Sequence, residues 1–141
     1  MDTSGPRTQR SWKKVKLAEI VTGKFTIVGR RYLAESLRSS AYNPPLYLAW
    51  GSDTTAASVY DTKLVTEKER AQATIARTTN YVNITKTFTV TAATAGVAGE
   101  LGLFDASSGG IMYWTGRFTS APTKAAGETI IVDFTIYATQ T

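Results

Sequence analysis

Apolar and polar positions alternate without interruption through residues 84–91. Ile84, Lys86, Phe88 and Val90 fall on one side and Thr85, Thr87, Thr89 and Thr91 on the other. A period of two predicts a strand with one buried face. The same period returns near the end of the chain, where Ile130, Val132, Phe134, Ile136 and Ala138 oppose Thr129, Asp133, Thr135 and Tyr137. Between these two stretches, residues 100–104 and 111–118 are apolar runs joined by Asp105-Ala106-Ser107-Ser108-Gly109-Gly110. Asp, Ser and Gly close their own turns or accept left-handed backbone, so this segment predicts a hairpin.

Earlier in the chain, Leu46-Tyr47-Leu48-Ala49-Trp50 reads as a short buried strand. Residues 71–79 alternate as a further strand that turns at 80–83 into the strand at 84–91. Residues 56–70 read as a long connection ending in a solvated charged face, and 119–128 as a loop. One amphipathic helix is predicted over 30–40, with Tyr32, Leu33 and Leu37 opposite Arg30, Arg31, Glu35 and Arg38; the Asn43-Pro44-Pro45 breaker follows it. Residues 15–28 read as extended. Six strands at this spacing predict a mainly β fold: an antiparallel β-sandwich or flattened barrel with one short N-terminal helix. The division expected is an extended basic arm over 1–28 and a β-sandwich domain over 29–141.

Charge sharpens that division. The net charge of the 141 residues is +5, and it is unevenly placed. Residues 1–31 hold eight basic side chains against two acidic ones, whereas 32–141 hold eight against nine. The high pI therefore belongs to the leader and not to the body. Arg7, Arg10, Trp12, Lys13, Lys14 and Lys16 are the expected partner-binding residues, with the cations suited to an acidic surface and Trp12 to an apolar anchor point.

Cysteine and histidine are both absent from the sequence. Their absence removes thiolate nucleophiles, disulfides, the commonest general base near neutral pH, and nearly all zinc, copper and iron ligand sets. No catalytic, cofactor-binding or metal residue is expected, and the chain is read as not an enzyme. Asp53, Asp61 and Asp105 read as hydrated loop residues rather than calcium ligands. Asn83-Ile84-Thr85 has the composition of a glycosylation acceptor and is set aside. A nucleic-acid platform would need cations and stacking rings in one groove. Here the rings Trp50, Phe88, Phe104, Tyr113, Trp114, Phe118 and Phe134 lie in the near-neutral body and read as core. No apolar run approaches the ~20 residues that span a bilayer.

Glu100 opens an apolar strand, and a buried carboxylate needs a cation or several amides. Arg70 or Arg77 is the expected partner in a structural ion pair, and replacing Glu100 with Gln is expected to cost well over about 1 kcal/mol if that pair is buried.

Several short motifs occur in order: Gly51-Ser52-Asp53-Thr54-Thr55, Asp61 to Glu67 with Arg70, Glu100-Leu101-Gly102-Leu103-Phe104-Asp105-Ala106, then Ser108-Gly109-Gly110 and Met112. Over residues 46–140 this pattern resembles small structural proteins of tailed bacteriophages and the N-terminal domain of phage tail-collar fibre proteins. The resemblance implies a non-enzymatic virion protein made in the host bacterial cytoplasm, homo-oligomeric as a trimer or dimer. Its partners would be other virion proteins, a major capsid protein or tail proteins. The function expected from it is a capsid decoration or cement subunit fastened through the arm. A tail, neck or baseplate component is the alternative, and a nucleic-acid-binding module using the arm is the alternative of another class.

Overall fold

The structure is a computed structural model that describes residues 21–36, 45–77 and 81–137. Ten strands and one helix are described. They run β1 (Val21–Phe25), α1 (Ile27–Ser36), β2 (Tyr47–Gly51), β3 (Glu67–Gln72), β4 (Thr74–Arg77), β5 (Tyr81–Thr89), β6 (Gly96–Val97), β7 (Glu100–Phe104), β8 (Met112–Phe118), β9 (Thr123–Lys124) and β10 (Thr129–Tyr137). All pairings are antiparallel. The larger sheet has the order β1-β8-β7-β2-β3, the smaller β10-β5-β4, and β9 pairs with β6 as a short clip. The mainly β expectation holds, and of its two forms the open sandwich is the one adopted, with no closed barrel.

The core forms where the two alternating patterns meet. Leu48, Trp50, Leu101, Leu103, Trp114 and Phe118 of the larger sheet face Ile84, Phe88, Ile130 and Val132 of the smaller one. Trp114 meets Phe134 edge to face, with centroids 4.8 Å apart. Burying each such side chain stabilises the fold by ~1.5–3 kcal/mol, so the strand faces are fixed against a one-residue slip.

Three expectations need correction. Residues 67–70, read as the solvated end of the 56–70 connection, belong to the edge strand β3; its charged side chains suit an edge that must not recruit further strands. The alternation expected over 71–79 is interrupted at Ala73, whose N–H donates to the Leu46 carbonyl while the chain passes from the larger sheet to the smaller. Residues 21–28, assigned to the arm, instead belong to the body: β1 pairs along β8, with Val21 opposite Phe118 and Phe25 opposite Trp114.

The helix begins at 27 rather than 30 because Thr26 caps it. The Thr26 hydroxyl accepts from the Gly29 N–H at 2.8 Å and donates to the Met112 carbonyl at 2.6 Å, and the Thr26 N–H donates to the Tyr113 carbonyl at 3.0 Å. The cap is therefore also the rivet between α1 and β8. Gly29 completes the contact, since a Cβ there would overlap the Tyr113 backbone. Residues 37–40, the end of the predicted helix, lie outside the described residues.

Candidate functional site

The outer face of the larger sheet carries a clamped loop. β2 ends at Gly51 and β3 starts at Glu67, and residues 52–66 between them fold back over the sheet. Leu64 plugs this loop into a second, smaller apolar cluster with Ala49, Phe104 and Met112. Glu100 is fully buried beneath it. Its carboxylate accepts from the Val65 N–H at 2.9 Å and the Thr66 N–H at 2.7 Å, with the Asp53 N–H at 3.4 Å. Gly51, paired with Glu100 across the strands, makes room for this: a Cβ there would collide with Glu100 Oε2 and the Thr66 carbonyl.

Arg117 sits opposite Glu100 on β8 and completes the clamp. Its guanidinium donates to the Thr55 carbonyl, to Thr115 Oγ1 at 3.1 Å and to the Gly116 carbonyl at 2.9 Å. It also lies 3.9 Å from both Asp53 and Asp61. Each of those carboxylates shapes its own turn: Asp53 accepts from the Thr55 N–H, and Asp61 from the Ser58 N–H. The loop is thus held by an anion at its roots and a cation at its middle. It presents Tyr60 and Val65, 78% and 67% exposed. A loop fixed by buried charge pays little ordering entropy when something docks on it.

The expected Glu100–Arg70 ion pair is not formed. Amides hold the Glu100 carboxylate, and Arg70 is engaged elsewhere. It forms a two-pronged pair with Glu67 at 3.0 and 2.8 Å and lies 3.6 Å over the Phe104 ring. It also donates to the Ala106 and Gly109 carbonyls at 3.0 and 2.8 Å, pinning the 105–110 turn. The physical reason is register: Arg70 faces Ala49, two pairs along from the Gly51 that lies beside Glu100. The side chain of Arg77 and the arm residues Arg7, Arg10, Trp12, Lys13, Lys14 and Lys16 lie outside the described residues. Arg117 was missed. Its signal was present in the predicted hairpin, since folding 100–104 onto 111–118 sets Glu100 against Arg117.

Tyr113 is buried at the foot of α1, and burial, then the Asp105 and Tyr32 charges, raise its pKa above the ordinary 10.0. Among the described residues, no group of three or more acidic side chains could hold a metal ion, and no helix is long and apolar enough to cross a membrane.

In this small antiparallel sandwich Glu100 and Arg117 hold the 52–66 loop, and Arg70 holds the 105–110 turn. The chain belongs to the family described as podophage GP4 fiber I protein gp80, whose family model matches residues 25–139. It is therefore a phage virion structural protein. No curated protein and no solved structure matches the chain.

Proposed function

We propose that this protein is a non-enzymatic subunit of a phage fiber or of its attachment, docked to neighbouring virion proteins through the basic leader and through the clamped loop. The fiber description of the matched family supports the tail-side placement. The observation that carries docking through the body is the Glu100–Arg117 clamp, which commits buried charge to presenting Tyr60 and Val65. Charge placement supports a role for Arg7, Arg10, Trp12, Lys13, Lys14 and Lys16 in gripping an acidic protein surface.

A capsid-decorating or cement role is the second reading. The strongly cationic leader favours it, because extended arms add interface area without enlarging a core. Copy number in purified particles separates the two. A number matching the tail appendages supports the fiber reading, and a number matching the major shell protein overturns it in favour of decoration. A nucleic-acid role would instead give binding to DNA that falls steeply with salt, with a slope set by the phosphates contacted.

A further inference from the structure

Trp50 and Glu69 stand directly opposite each other on β2 and β3. Facing residues of an antiparallel pair share one side of the sheet, so both side chains leave the backbone toward the same layer. That layer is the core, because Trp50 is fully buried and clusters with Leu48, Leu101 and Leu103. The edge strand β3 therefore turns one carboxylate inward, between Lys68 and Arg70 on its other side. An inward-pointing charge is one way a sheet edge is kept from recruiting another strand. That explains why a charge is useful at position 69 and leaves open what satisfies it.

Two polar atoms of this pair are buried without a hydrogen bond among the described residues: Trp50 Nε1 and Glu69 Oε1. The indole N–H can only donate, and a carboxylate oxygen can only accept. Two atoms of opposite need thus lie on the same side of adjacent strands, enclosed, and outside hydrogen-bond reach of each other. Buried polar groups in folded proteins find a partner, and where the protein supplies none an ordered water does. The corner has room for one. The next inward positions along the chain are Ala71, opposite Leu48, and Ala73 at the crossing, whereas β2 and β7 fill the same layer with Leu48, Trp50, Leu101 and Leu103. The facing sheet offers one cation on its inner side, Lys86, half-buried opposite Val132, but it makes no hydrogen bond to Glu69 Oε1.

We infer that Trp50 Nε1 and Glu69 Oε1 form a binding site for one internal water molecule, which accepts from the indole N–H and donates to the carboxylate. The water joins the inward charge of the edge strand to the centre of the core, so β3 keeps a carboxylate that deters strand addition without leaving a buried donor and a buried acceptor unmet. It also steadies the strand that carries Arg70, whose guanidinium pins the 105–110 turn.

NMR on the full chain, with its tryptophan indoles labelled with nitrogen-15, tests this. The Trp50 resonance is assigned by elimination with Trp12→Phe and Trp114→Phe, which leave both atoms of the site in place. Magnetisation transfer from water to the Trp50 indole proton is then read in the rotating frame, where its sign separates a bound water from proton exchange. The native chain should show the transfer of a bound water, and so should Glu69→Gln, whose amide oxygen still accepts. Glu69→Leu should lose it while the backbone spectrum outside β2 and β3 stays unchanged; where that variant does not fold, Glu69→Met carries the same comparison. Lys86→Met should retain it. No bound-water transfer in the native chain overturns the inference, and a Trp50 indole proton that shifts in Glu69→Gln without such transfer assigns a direct Trp50–Glu69 bond instead. Transfer undiminished without the carboxylate, or lost in Lys86→Met, equally overturns the two-residue site.

Discussion

Replacing Glu100 with Gln tests the clamp at its root. The carboxylate is fully buried and accepts two short backbone N–H bonds, at 2.9 Å from Val65 and 2.7 Å from Thr66. A glutamine keeps one acceptor oxygen and turns an NH2 group toward the other N–H. One charge-assisted bond of ~1.5–3 kcal/mol is lost, and two buried donors face each other at a further cost of ~1–3 kcal/mol. The expected loss is about 3 kcal/mol, or a fall in Tm of about 6–12 °C for a chain of this size. Urea unfolding followed by the fluorescence of buried Trp50 and Trp114 reads it. The loop should also loosen, so that trypsin cuts after exposed Lys63 in the variant under conditions where the native chain stays intact. A double-mutant cycle with Arg70→Met separates the amide-held account from the ion-pair account. Sites without shared partners add to within ~0.5 kcal/mol, whereas a direct ion pair would couple more strongly. A loss within measurement error, or coupling above about 1 kcal/mol, refutes the reasoning.

Three further outcomes follow from the same geometry. Arg117→Met leaves Asp53 and Asp61 facing each other without their cation and frees the Thr55 carbonyl, and should cost about 1–3 kcal/mol in urea unfolding, with tryptic cutting in the 52–66 loop. Gly29→Ala puts a methyl group into the Tyr113 backbone, so α1 must lift; a loss of about 1–3 kcal/mol is expected, read as a lower Tm. Above pH 10.0 the unfolded chain sheds the Tyr113 proton before the folded chain does, because the folded pKa is raised. The folded state then binds more protons, so stability falls as pH rises beyond that point, and Tyr113→Phe should flatten this part of the alkaline stability profile.

Elements with one wet and one dry face were legible from their period alone. β5, β10 and the β7–β8 hairpin follow directly from Ile84–Phe88, Ile130–Val132 and the Asp105 to Gly110 turn. What was not legible depended on register between distant strands. β3 reads as Glu-Lys-Glu-Arg-Ala-Gln, and only its pairing with β2 makes a strand of it. The helix start was written in Thr26, but its cap geometry depends on the Met112 carbonyl, far along the chain. The clamp was half legible: Glu100 stood out as a buried charge. Its partners, however, are backbone N–H groups, which any residue supplies and no side-chain pattern announces.

The most direct test of the account is particle association. Purified particles lacking this protein are incubated with the full chain, with an Arg7→Ser, Arg10→Ser, Trp12→Ser variant, and with Tyr60→Ser, and the bound protein is measured after sedimentation. The account predicts that the native chain binds to a saturating stoichiometry and that both leader and loop variants lose most of that binding while remaining folded. Full binding by both variants, or no binding by the native chain, would contradict it.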